Sequence, residues 1–181
     1  MFTIVTSRFN NDTLEANYAY RKKHNLKCIY CCPSELSSKI HLNSPVFVIE
    51  MNNSINKIEG IGLIKNKTVT NKYYKVHTDG NKNRYIYIGD YFIDRTIIDD
   101  LNPLLVFALE EILFKGYTHS KRGSGLTILP EKVLNLDVCK DIDIKKEIKQ
   151  LFIYHFREKI EQINHQQLIK NNDIKKQILN H

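Results

Sequence analysis

The chain has 181 residues, enough for one domain with a real core, because folding at this size buries about 70% of the extended-chain surface. Its formal net charge is +7, with 27 Lys and Arg against 20 Asp and Glu, a balance that favours anionic partners and carries no information about fold. No apolar run approaches the length of a membrane span, Met1–Ser7 lacks a signal-peptide pattern, and Cys28, Cys31, Cys32 and Cys139 lack a small-scaffold disulfide spacing. An intracellular protein with free thiols and no membrane association is therefore expected.

In chain order, Phe2–Thr6 reads as a short strand, and Asn11 or Asp12 caps a helix to about Lys23 that Asn25 stops, with Leu14, Tyr18 and Arg21 on one side. Lys27–Cys32 is a second strand ended by Pro33, and Ser34–Ile40 a short helical turn. Val46–Met51, the polar Asn52-Asn53-Ser54, and Ile58–Lys65 form the clearest signal, a β-hairpin. Lys72–His77 and Arg84–Ile88 flank Asp79-Gly80 as a second hairpin, and Gly89-Asp90 turns into Tyr91–Ile93, giving a meander of about five strands.

The period then becomes helical. Asp94 caps Arg95–Leu101, and Asn102 and Pro103 open a helix whose core stripe reads Leu104, Leu105, Phe107, Ala108, Ile112 and Leu113, stopped by Lys115-Gly116. After a long loop, Thr127–Leu129 leads into Pro130 and a short element. Asp141 or Asp143 caps a long C-terminal helix with Ile144, Ile148, Leu151, Phe152, His155, Ile160 and Ile163 at core spacing. The expected fold is α+β: one curved, mainly antiparallel, barrel-like sheet with flanking helices, residues 1–165 forming a single domain and 166–181 a polar tail.

Charge is blocked along the chain: residues 57–87 are basic, 88–114 acidic and 115–132 basic, so the fold could join the two basic blocks on one face. The most suggestive stretch is His119-Ser120-Lys121-Arg122-Gly123-Ser124-Gly125, where two glycines let backbone approach a ligand while Lys121 and Arg122 supply phosphate contacts. It lacks the GxxxxGK[ST] order of a Walker loop. Its RGxG fragment is similar to the coenzyme A loop of acetyltransferases, but that loop follows a strand and this one a helix. Tyr73, Tyr85 and Tyr87 interleave with Lys65, Lys67, Lys72 and Arg84, as in sheets that stack unpaired bases and hold phosphates.

On strand alternation Cys28, Tyr30 and Cys32 face one way and Ile29 and Cys31 the other. The thiols therefore split between faces, and no second Cys or His pair completes a zinc site. The seven histidines are scattered in sequence. No catalytic constellation, metal or cofactor is expected.

Phe47–Ser54 followed by Ile58-Glu59-Gly60-Ile61-Gly62-Leu63-Ile64 resembles the central hairpin of PUA-like domains of the EVE and YTH type. The resemblance spans about residues 26–130 and implies a small β-barrel that takes a modified or flipped RNA or DNA base in a pocket with a basic rim. It places Asn52 and Asn53 at the hairpin tip and Ser34 at a pocket position, while Gly60 and Gly62 permit close approach. The absence of tryptophan removes a tryptophan cage from that implication. The Asn-, Lys- and Ile-rich style is similar to that of proteins of large double-stranded DNA viruses.

The reading that follows is a non-catalytic nucleic-acid-binding module. Two alternatives stand beside it. One is a protein-interaction component that docks a partner through the helix near 144–163 and the tail. The other is a metal-dependent nuclease built on Asp90, Asp94 and Glu50, within the acidic run that includes Asp99 and Asp100.

Overall fold

The computed structural model describes residues 2–117 and 119–157. It divides into two compact units, residues 1–144 and 145–181. The first is an α+β fold whose five-stranded sheet is mixed but, as expected, mainly antiparallel, with one parallel pair.

Strand β1 (Thr3–Phe9) lies parallel to β3 (Pro45–Asn52), with Thr3 opposite Val46 and Phe9 opposite Asn52. β3 and β4 (Lys57–Lys65) form the expected antiparallel hairpin, turned through Asn56 at φ 55° and bulged at Glu50/Met51. β6 (Tyr91–Asp94) and the two-residue β7 (Thr127–Ile128) complete the sheet in the order β6-β4-β3-β1-β7. A separate two-stranded sheet pairs β2 (Cys28–Cys32) with β5 (Tyr85–Gly89). Among the described residues, hydrogen bonding does not close these sheets into a barrel.

The main core lies between the sheets. Val5 and Phe9 of β1, Val46 and Val48 of β3, and Cys28, Tyr30, Cys32 and Tyr87 of the smaller sheet pack together with Leu14, Leu36 and Ile40. Glycine lets the sheets approach. A Cβ on Gly89 would lie 2.1 Å from the Leu63 carbonyl oxygen, and one on Gly62 would lie 2.1 Å from the Tyr30 hydroxyl.

The strand expected at Lys72–His77 does not form; instead Tyr74 and Val76 pack with Ile29 and Ile86 on the other face of the β2–β5 sheet. Asn83 explains the irregular path. Its Oδ1 accepts the backbone N–H groups of Val76 (3.1 Å) and His77 (3.0 Å), and its Nδ2 donates to the His77 carbonyl (2.7 Å), replacing ladder bonds with side-chain bonds. The expected Asp79-Gly80 turn opens a short 3₁₀ helix, Gly80–Asn83, and β5 pairs with β2 rather than with residues 72–77. Residues 34–40 form turns and no helix.

Helix α1 (Asn11–His24) is capped by Asn10, not by Asn11 or Asp12: Asn10 Oδ1 accepts the Thr13 N–H at 2.9 Å and Thr13 Oγ1 accepts the Asn10 N–H at 3.0 Å. Asn25, at φ 51°, ends it as expected. Asp94 caps α2 (Arg95–Leu101) and Asn102 caps α3 (Pro103–Phe114). The buried face of α3 is Leu105, Val106, Ala108, Leu109, Ile112 and Leu113, while Leu104 and Phe107, expected inside, are exposed. The segment PLLVFAL is apolar all round, so its sequence has no polar side to choose the inward face. A short helix, α4 (Glu131–Leu134), follows Pro130.

Residues 144–157 form helix α5, in which Ile144, Ile148, Leu151 and Phe152 are buried at the expected spacing. The expected helix positions Ile160 and Ile163 and the tail 166–181 lie outside the described residues. No described helix is long and apolar enough to cross a membrane.

Candidate functional site

The C-terminal end of β1 runs past the expected boundary at Thr6 and delivers Ser7, Arg8 and Phe9 into a pocket of about 200 Å³. Thr13 of α1, Cys31 and Pro33 at the end of β2, and His77 and Lys82 from the irregular segment form further walls. Gly123, Ser124 and Gly125 complete the enclosure.

That last loop is tied to the scaffold from two sides. Arg8 Nε donates to the Ser120 carbonyl and its Nη1 to Thr127 Oγ1 at 2.9 Å, while Asn53 Nδ2 donates to the Lys121 carbonyl at 3.0 Å. Gly123 sits at φ 117° and Gly125 at φ 65°, conformations that other residues adopt only with strain. At Gly125 a Cβ would also be tightly placed, 3.3 Å from Cys32 Cβ and 3.4 Å from Pro33 Cδ. At Gly123 the Arg8 guanidinium lies 3.4 Å from the corresponding Cβ position, so the loop backbone rests on a cation.

The walls combine two cations, half-buried Arg8 and exposed Lys82, with neutral polar groups. Burial draws the Arg8 pKa below its ordinary value. Burial, reinforced by the Lys82 charge and opposed by Asp79, lowers that of His77, favouring a neutral imidazole that offers one donor and one acceptor. Burial and the neighbouring Cys32 push the Cys31 thiol up to about 12, so it is not a nucleophile at neutral pH.

The His77 shift has a checkable sign. Because its folded pKa lies below the ordinary 6.5, the unfolded chain takes up a proton just below that pH that the folded chain refuses. His77 therefore makes stability fall as pH drops through 6.5 toward its depressed folded value. His77→Gln should remove that slope, measured as urea-unfolding free energy against pH, and an unchanged slope would refute the assignment.

Of the residues expected from sequence, Gly123, Ser124 and Gly125 line the pocket, half-buried Lys121 and exposed Arg122 precede them, and partly buried His119 stands at the base of the loop. The basic blocks meet only in part, at Lys82, which lines this pocket beside Gly123–Gly125. Lys65 and Lys67 line a different cavity beside Gly89, at the end of the β2–β5 ladder where Gly89 pairs with Cys28. The pocket lies toward the opposite end of β2, roughly 10–13 Å away along a strand rising about 3.3 Å per residue. Lys72 sits 5.0 Å above the Tyr74 ring and Arg84 5.4 Å from the Tyr85 ring.

The expected tyrosine stacking face is also absent. Tyr87 is a core residue whose hydroxyl accepts the Leu36 N–H at 2.9 Å, Tyr85 packs partly buried against the same core, and Tyr73 is exposed outside the pocket lining. In a sheet covered on both faces, side-chain alternation cannot leave an aromatic face free.

Asn52 is a turn-former: buried, it donates to Asn11 Oδ1 (3.1 Å) and Glu59 Oε1 (2.8 Å) and accepts the Ser54 N–H (3.0 Å). Ser34 is exposed and its neighbour Pro33 lines the pocket instead. Asn53 acts as the loop clamp rather than as a lining residue.

The carboxylates do not converge into the expected alternative metal site. Glu50 is fully buried against Arg21 (3.1 Å), Asp94 accepts the Thr96 N–H as a helix cap, and Asp90 borders the Lys65 cavity. Asp99 pairs with Arg95 at 3.6 Å. Among the described residues no group of three His, Cys, Asp or Glu could hold a metal ion.

Arg8, His77 and Lys82 were not singled out in the sequence. The available signal was the β1–α1 junction: a strand running into a capped helix delivers its C-terminal residues to a crevice, where ligands in parallel-stranded units bind. Compared with protein-family models, with curated proteins and with solved structures, the chain matches none of them.

Proposed function

We propose that the chain is a non-catalytic nucleic-acid-binding module of PUA-like, EVE- or YTH-type build, which holds one unstacked base of RNA or DNA in the pocket beneath the Gly123–Gly125 loop. The observation that carries this reading is the pairing of a small polar pocket with the lining cations Arg8 and Lys82 and with Lys121 and Arg122, which lead directly into the lining loop. At about 200 Å³ it falls below the roughly 300–1,000 Å³ of sites for drug-sized molecules, which suits a single ring system better than a whole nucleotide cofactor. Ser7 and neutral His77 supply hydrogen bonds to a base edge, Phe9 and Pro33 supply apolar contact, and the cations take the flanking phosphates. Base stacking passes from Tyr73, Tyr85 and Tyr87 to these two residues.

The test is fluorescence polarisation with labelled single-stranded RNA and DNA oligonucleotides over a salt series. Binding should weaken steeply with salt, and Lys82→Ala or Arg122→Ala should each lower affinity for all sequences and reduce the log–log salt slope by about 1. Salt-independent binding, or no binding to either nucleic acid, would overturn the proposal.

A second reading, capture of a protein partner through α5, has in its favour the exposed Ile153 and Tyr154 on that helix. Deleting residues 166–181 should then abolish partner capture and leave the melting temperature unchanged.

A further inference from the structure

We infer that the cavity beside Gly89 is a second, independent ligand site, for a small amphipathic anion with an apolar body and one acidic head. The cavity measures about 530 Å³, within the usual range for small-molecule sites, and its walls are mainly apolar: Leu63 of β4, Val69 of the crossing segment and Ile88 of β5. Val69 and Ile88 are packed from behind by Ile29, Tyr74, Val76 and Ile86. The Val69 N–H further donates to the Ile86 carbonyl at 2.8 Å, so the wall is built before any ligand arrives.

Charge gives the ligand its polarity. Lys65 and Lys67 stand on the border, exposed, and neither forms an ion pair among the described residues. The Lys67 N–H donates to the Lys65 carbonyl at 2.7 Å, a three-residue turn that keeps the two lysines together. Asp90 lines the cavity as well and repels an acid, which restricts the head group to the lysine side. Two cations together, an apolar floor between β4 and β5 and a single repelling carboxylate fit a medium-chain carboxylate better than a neutral lipid or a cation. The site shares no lining residue with the pocket under the Gly123–Gly125 loop.

Octanoate titrated into the isotope-labelled full chain and followed by amide NMR tests this. Octanoate should shift amides at residues 63–71 and 88–91 in a saturable manner. 1-Octanol, with the same body and no acid, should bind the same residues about tenfold more weakly, the difference expected for losing a charge-assisted hydrogen bond. Lys65→Ala with Lys67→Ala should remove that preference without changing octanol binding. Lys82→Ala, at the other pocket, should leave octanoate binding unaltered and so separates this site from the proposed nucleic-acid site. Equal binding of octanoate and octanol, shifts centred elsewhere, or no saturation would overturn the inference.

Discussion

Arg21→Met is expected to cost about 3–5 kcal/mol of folding stability, because it strands a carboxylate in the core. Glu50 is fully buried and accepts from Arg21 Nη1 and from the Tyr30 hydroxyl at 2.8 Å, while the Tyr18 hydroxyl stands at 3.5 Å. Arg21 is held in turn by the Lys27 carbonyl at 2.8 Å, and its guanidinium lies 4.2 Å from the centre of the Phe92 ring. Among the described residues, no other ion pair reaches Glu50. Replacing both members with apolar residues, Arg21→Met with Glu50→Leu, should recover much of the loss, and a double-mutant cycle in urea should show strong coupling.

The pH dependence of that variant follows from Glu50. Burial raises its pKa above the ordinary 4.5 against the opposing pull of Arg21 and Tyr30. A folded-state acid with a raised pKa keeps a proton that the unfolded chain has released, so its contribution to stability declines as pH rises from the ordinary value through the raised one. Removing Arg21 removes the main opposing pull. The decline should steepen in Arg21→Met and vanish when Glu50 is also replaced; a flat profile in the single variant would contradict the assigned pairing.

Gly89→Ala should cost about 3 kcal/mol, at the upper end for overpacking, because the added methyl meets backbone. Its position would be 2.1 Å from the Leu63 carbonyl oxygen and 2.8 Å from Cys28 Sγ, and neither neighbour is the free end of a flexible side chain. Gly80→Ala is the control. Nothing lies within 4 Å of its added Cβ, and its effect should stay within about 0.5 kcal/mol. Similar melting temperatures for the two variants would show that the sheets are not held apart by backbone contact at Gly89.

These two sites mark what local sequence pattern can and cannot convey. Helix ends were readable because capping is local: Asn25, Asp94, Asn102 and Lys115-Gly116 occupy their expected places. The β3–β4 hairpin was readable for the same reason, and so was the division of Cys28, Tyr30 and Cys32 from Ile29 between two packed clusters. Pairing across long separations was not. The parallel β1–β3 ladder and the β2–β5 pair join segments with no turn to announce them, and the tyrosine- and valine-bearing 72–77 run resembles a strand until Asn83 takes its backbone hydrogen bonds.

The same distinction divides the candidate site. The glycine loop was visible because positive φ demands particular residues. Arg8 was not, because a single arginine at a strand end looks like any solvated charge until the chain returns, more than a hundred residues later, to rest Ser120 and Gly123 on it.

That return gives the molecule a separable inheritance. The floor of the small pocket, Ser7 to Phe9, belongs to a strand that the core needs, whereas its roof hangs from Arg8 and Asn53 largely through backbone carbonyl acceptors, which any residue presents. Changing the side chains at Lys121, Arg122 and Ser124 should therefore leave these anchors in place, while the strands beneath keep the composition that folding requires.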